Sequence, residues 1–262
     1  MSQQICFKKI LINKKINIAI LFSILFFLSG PSHAIPDWIS DKIPDADFGI
    51  DFTDAKAYKT DSMLMKFNLK TNDLSIGPYT GTWKNRKSSS KFLAFGKRKS
   101  STDIVLVHDN HGTWNLLCSG QIKEFDLAGL SFDREGDYDY KCVMQSGEKM
   151  VTLLVAPYKK PKFLIGEPIQ NRDVFISLPD GRELEASSIH RTVGNKRELP
   201  DPIGFTIKSK DNIIGGLGRF GKNNAILLSS NITSTEDEHY VFMSALGLWF
   251  FKYNDRKSGL TQ

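Results

Sequence analysis

The stretch TEDEHYVFMSALGLWFFK, residues Thr235–Lys252, decides the fold. Thr235 with Glu238 three positions on has the form of a capping box, and Glu236 and Asp237 in the same turn complement the positive end of a helix dipole. A helix is predicted to start there. From Tyr240 to Phe251 the only polar residue is Ser244, so the helix is apolar around its whole circumference and needs burial on every side. About 18 residues make a rod of ~27 Å, comparable with a domain diameter, so its enclosure must be nearly as large as the domain.

The sequence ahead of it is strand-like. From residue 47 onward, short apolar runs alternate with polar residues at period two, separated by turn signals. Phe48, Ile50 and Phe52 alternate in this way, as do Met63, Met65, Phe67 and Leu69. Further strands are predicted at Leu74–Trp83, Phe92–Phe95, Ile104–His108, Thr113–Cys118, Tyr138–Met144, Val151–Ala156, Val174–Leu178, Arg182–Ile189, Ile203–Lys208, Ile213–Phe220 and Asn224–Ser229. The connectors Thr71-Asn72-Asp73, Asp109-Asn110-His111-Gly112, Pro179-Asp180-Gly181 and Gly221-Lys222-Asn223 are short and rich in residues that tolerate positive φ, which predicts antiparallel hairpins. Before the last helix only Gln121 to Leu130 has a pattern for a short helix. Ser88–Ser90 and Arg191–Asp201 read as exposed loops. A parallel sheet would need crossover helices for which these spacings leave no room.

About twelve antiparallel strands followed by a helix that must be buried all round predict a mainly β fold, a closed barrel around that helix. The alternatives are a lipocalin-like barrel or a two-sheet sandwich with the helix packed outside. The order Ile203–Lys208, Asn212–Phe220, Asn224–Leu228 and Thr235–Phe251 resembles the tail of the tubby C-terminal-like superfamily, which includes LURP-one-related proteins and phospholipid scramblases. The resemblance is one of pattern and element order, from about Phe48 to Tyr253. It implies a closed barrel of about twelve strands with the last helix through its centre. In tubby itself Lys and Arg side chains bind phosphoinositide headgroups; no position here matches them.

Residues 1–34 read as a secretory signal. Lys8, Lys9, Lys14 and Lys15 precede an apolar run, Ile16–Leu28, broken by Asn17 and Ser23, and Gly30-Pro31 then leads to the small-x-small signal Ser32-His33-Ala34. The run is shorter than the ~20 residues that cross a bilayer. Residues 35–262 are expected to form a single exported domain, periplasmic or extracellular, whereas the eukaryotic members of the resembled family are intracellular. The chain carries 35 Lys and Arg against 29 Asp and Glu. Four of those lysines leave with the signal, so the mature domain, at +2, lacks the basic footprint of a nucleic-acid binder. Cys6 leaves too, and the remaining pair, Cys118 and Cys142, is expected to be a disulfide in an oxidising compartment.

Four motifs invite chemistry. Gly216 to Gly221 fits G-x-G-x-x-G, but a strand follows where a dinucleotide site needs a helix, so it reads as a Gly-rich hairpin. His108 and His111 flank a turn and would chelate a metal only with a third ligand from elsewhere; His190 and His239 are isolated in sequence. Asp133, Glu135, Asp137 and Asp139 alternate around Gly136 as a weak calcium candidate without the EF-hand arrangement. Lys84, Arg86, Lys87, Lys91, Lys97, Arg98 and Lys99 form the clearest charge cluster, with Phe92, Leu93 and Phe95 inside it.

No nucleophile elbow, zinc-protease helix or P-loop is present. Ser88 with Lys91 and Ser146 with Lys149 match S-x-x-K without its companion motifs. The leading expectation is therefore an exported, non-enzymatic domain with no cofactor. The basic segment would contact anionic lipid, a membrane surface or an acidic partner protein. An exported hydrolase with residues on separate loops and an envelope structural protein are the alternatives; oligomeric state is not legible.

Overall fold

Period-two alternation converts directly into a one-sided sheet. In β9 (Asp173–Ser177) and β10 (Glu183–Ile189) buried and exposed residues alternate along the strand, because successive side chains leave opposite faces. The computed structural model describes residues 48, 55–59, 73–92, 95–127, 130–133, 139–156, 169, 171–194, 197–220 and 223–257. The signal and the expected strand Met63–Leu69 lie outside them, as does most of Phe48–Phe52. The other strands are β1 (Lys56–Lys59), β2 (Asp73–Ile76), β3 (Tyr79–Phe92), β4 (Phe95–His108), β5 (Gly112–Leu127), β6 (Leu130–Asp133), β7 (Asp139–Ser146), β8 (Lys149–Val155), β11 (Gly204–Ser209), β12 (Asn212–Phe220) and β13 (Asn223–Leu228), with one helix, α1 (Thr235–Lys257).

Twelve strands pair in the order β1-β13-β12-β11-β10-β9-β8-β7-β5-β4-β3-β2, with β6 on the end of β5. Every pairing is antiparallel. The result is a nearly closed barrel, mainly β, with α1 buried inside it. α1 packs on β5, β7 and β8 from one half of the sheet and on β11, β12 and β13 from the other. No side chain from Tyr240 to Phe251 is more than 3 % exposed. Each large apolar side chain buried in this way contributes about 1.5–3 kcal/mol. Ser244, the polar exception, donates its hydroxyl to the Tyr240 carbonyl at 2.7 Å within the helix, so its burial strands no polar atom. Among the described residues no helix is long and apolar enough to cross a membrane.

The helix and the wall fit by alternation of size. Aromatic contacts include Tyr79 stacked on Phe242 at 4.2 Å, Tyr140 against Phe251 at 5.2 Å and Trp83 near Phe250 at 6.4 Å. Where the helix crosses β7 and β8 it carries Gly247, whose carbonyl accepts the Tyr140 hydroxyl at 3.0 Å. A β-carbon there would stand 2.8 Å from Met144 Cε and 3.3 Å from Leu153 Cδ1. Cys118 and Cys142 are directly opposed on β5 and β7 in the same layer, fully buried, with their sulfurs at disulfide distance.

Several local expectations are corrected. Gln121 to Leu127 is not helical: it extends β5 and pairs with β4 from Lys99↔Gln121 to Phe95↔Phe125, so ladder pairing overrides a weak helical pattern. Ser88–Ser90 is exposed but lies within β3. Phe92–Phe95 is the tip of the β3–β4 hairpin, where these two residues face each other. Leu74–Trp83 breaks into β2 and β3 at Gly77-Pro78, with Gly77 at a φ of 51°. The helix cap is Ser234 rather than Thr235: its hydroxyl accepts the Glu236 and Asp237 amides at 3.2 and 3.4 Å. α1 runs on to Lys257.

Two substitutions test this core. Gly247→Leu is expected to destabilise by about 1–3 kcal/mol through overpacking against Met144 and Leu153, read as a lower midpoint in chemical denaturation. Replacing both Cys118 and Cys142 by Ala, a loop of separation 24, is expected to cost about 3 kcal/mol and to remove the redox dependence of stability.

Candidate functional site: an outer groove and the barrel mouth

With α1 filling the axis, open concavities lie on the outer face and at the mouth. A groove of about 950 Å³ crosses the outside of β3, β4, β5, β7, β8 and β9. One ladder row builds its floor: Arg86, Ser101, Ser119, Lys141, Leu154 and Phe175 are successive cross-strand partners from β3 to β9. Parity alone sends them all outward. Leu154 and Phe175 are 45 % and 54 % exposed, a large apolar pair facing water beside cations. The next row adds Ser88, Lys99, Gln121 and Asp139. Arg86 is paired with Asp103 at 2.6 Å, so part of the cationic charge is already met within the protein.

The register divides the basic cluster read from the sequence. Arg86, Lys87 and Lys99 line the groove, Lys87 from the opposite strand parity. Lys84 borders a neighbouring depression of about 610 Å³ with Val105 and Leu117, and Lys97 is half-buried. Lys91 and Arg98 stand opposite Gly96 and Ser89 in the β3–β4 ladder; their side chains lie outside the described residues. Lys141, Leu154 and Phe175 escaped the sequence reading. The signal for the last two was present: Leu153-Leu154 and Val174-Phe175-Ile176 are unbroken apolar runs inside alternating strands, so one member of each must face outward.

At the mouth, three consecutive acids of α1 meet three cations from the rim. Glu236 pairs with Lys149 of β8 at 2.7 Å, Asp237 with Arg182 from the β9–β10 turn, and Glu238 with Lys56 of β1 at 2.7 Å. The Lys149 ammonium and the Tyr240 hydroxyl hydrogen-bond Glu236 and hold its carboxyl below the usual range. Beneath them, His239 is not isolated: its ring stacks on His111 at 4.3 Å and lies 6.4 Å from His108. Tyr79 shares a 2.7 Å hydrogen bond with His239 Nδ1. A pocket of about 410 Å³ opens here, lined by Tyr58, Tyr79 and the three histidines among others. Burial, then the neighbouring His111 and His108, push the His239 pKa down to about 3.

The remaining candidates resolve into structure. Asp139 is exposed at the start of β7, while Glu135, Asp137 and the Asp133 side chain lie outside the described residues. Among the described residues no group of three His, Cys, Asp or Glu side chains could hold a metal ion. Gly216 and Gly218 sit in β12 between β11 and β13, packed against Phe48, so no helix N-terminus follows for a pyrophosphate. Ser188 and His190 are within hydrogen-bond reach, Oγ to Nε2 at 2.9 Å. The hydroxyl also accepts the Arg172 amide at 2.8 Å, and His190 Nδ1 bonds the Leu199 carbonyl at 2.9 Å. This network ties the 191–199 loop to β10. Comparison of the chain with protein-family models, curated proteins and solved structures finds no match.

Proposed function

We propose that the protein is an exported, non-enzymatic binding domain whose outer groove takes an anionic lipid surface. The observation that carries this reading is the ladder row from Arg86 to Phe175, which sets two exposed apolar side chains next to Lys141 in a groove that Lys99 and Arg86 also line. Lipid headgroups offer phosphate to the cations, and the acyl boundary offers an apolar layer to Leu154 and Phe175. The second depression adjoins with Leu117, itself 54 % exposed, which lengthens the apolar band. Export is part of the proposal and is supported by the N-terminal signal pattern and by the buried Cys118–Cys142 pair. So is membership of the tubby C-terminal-like superfamily, supported by the element order and the enclosed helix. Among the described residues the hydrolase alternative has the Ser188–His190 contact behind it, and that contact is committed to backbone partners on both sides.

Flotation of the mature chain with vesicles tests the reading. Vesicles rich in anionic lipid are expected to carry it upward at low salt, and purely zwitterionic vesicles are not. Lys99→Glu with Lys141→Glu is expected to cut the apparent affinity at least tenfold, at about 1 kcal/mol per basic residue near a charged surface. Phe175→Ser should weaken binding with little change in its salt dependence. Equal binding by both vesicle types, or undiminished binding by the charge-reversed protein, overturns the proposal; binding confined to acidic proteins would move the groove to a protein partner.

A further inference from the structure

The barrel mouth carries a second inference, independent of the groove. His108 ends β4, His111 lies in the β4–β5 turn and His239 is in the second turn of α1, so the cluster joins the wall of the barrel to the helix inside it. His239 is 2 % exposed, and its Nε2 has no hydrogen-bond partner among the described residues. The His111 and His239 rings stack instead of aiming at a common centre, which does not suit a metal. The cluster is walled by Tyr79 and Trp114, whose rings lie 5.7 and 4.7 Å from His239. Such a packing suits a neutral His239, since a proton on it would place a charge beside two further imidazoles at a position shut off from water.

We infer that the His108–His111–His239 cluster is an acid-sensitive latch: when His239 and His111 take up protons, the first turns of α1 lift out of the barrel mouth while the buried remainder of the helix stays inside. The groups around it reinforce this direction. Lys149 of β8 raises the cost of a proton on His111 and His239, Lys56 of β1 lines the same pocket, and Arg182 of the β9–β10 turn stands at the rim on Asp237. Glu236, Asp237 and Glu238 would favour that proton, but their charges are matched by those same cations. Asp109 and Asp180 lie exposed on the flanking turns. Tyr58 and Tyr79 are held neutral by burial, which raises both hydroxyls.

The sign follows from linkage. A histidine released to water titrates near ~6.5, whereas His239 in the closed mouth stays neutral down to about 3; burial, then His108, also lowers His111. The open form therefore binds protons that the closed form refuses. Closure is fully favoured above about pH 6.5 and loses ground steadily as the pH falls toward 3. Glu236, whose carboxyl Lys149 and Tyr240 hold below the usual range, gives up its ion pair with Lys149 when protonated, which acts in the same direction as the latch.

Amide hydrogen exchange on the full mature chain, expressed as protection factors between pH 7.5 and 4.5, reads the opening directly. Amides of His239 to Met243 are expected to lose about tenfold or more protection between pH 7 and 5, while strand amides at Ile104 and Leu116 keep theirs. His239→Asn, which leaves a polar partner for Tyr79, should flatten the first-turn response. His111→Gln, on the partly exposed turn, tests the same point without altering the core. Protection that is flat with pH, that falls equally in helix and strands, or that keeps the same pH dependence in His111→Gln overturns the latch.

Discussion

Twelve consecutive positions of α1, Tyr240 to Phe251, present no side that tolerates water. A helix lying on a sheet shields about half of its circumference, and a helix in a bundle needs several partners. A chain whose described residues are otherwise almost all antiparallel strands and turns has one economical way to cover such a rod, which is to wrap the sheet around it. The rest of the architecture follows from that constraint. The strands alternate because one face lines the enclosure and the other meets solvent. They run as a meander because neighbouring hairpins are the shortest path around a cylinder. Where helix and wall come closest, at Gly247 against β7 and β8 and at Gly215 against Val241, a side chain is given up.

Filling the barrel also decides where function can reside. A lipocalin-like barrel keeps its interior for a ligand, whereas here the axis is occupied by Phe242, Leu246, Trp249 and Phe250. Recognition is pushed to the outer face and the mouth. On the outer face, sheet geometry does the arranging. Arg86, Lys141, Leu154 and Phe175 are distant in sequence, but antiparallel register sets them in one row. A row of this kind is rigid because its backbone is fixed by ladder bonds on both sides. Its backbone therefore adds little ordering cost to a contact, and what remains is the cost of fixing the exposed side chains.

The barrel was legible because its signal is redundant: a dozen alternating segments, tight turns and one helix apolar all round point to the same answer. The mistakes fell where local pattern and tertiary pairing disagree. Residues 121–127 look weakly helical in isolation and become strand because β4 offers a long partner edge. Ser88–Ser90 looks like a loop by composition and is held extended by the same hairpin. Charge clustering along the chain was a poor guide to clustering in space: Arg86, Lys87 and Lys99 line one groove, while Lys84 borders another. The histidine cluster was half visible. His108 and His111 stood out, but the third ring arrives from position 239, and no local signal reports a contact across 128 residues.

Stability along α1 is uneven in a way that bears on dynamics. Its middle is held by apolar burial, which is insensitive to pH and salt. Its first turn is held by Lys56–Glu238, Lys149–Glu236 and Arg182–Asp237, partly exposed pairs worth at most about 1 kcal/mol each, and by the stacked His111 and His239, which resist charging. Such a segment sits near the low end of local stability even in a well-packed protein. Solution conditions that leave the barrel intact can therefore act on the mouth alone. The same chemistry that starts the helix, acids at its positive end, makes that end the part of the core most open to electrostatic control.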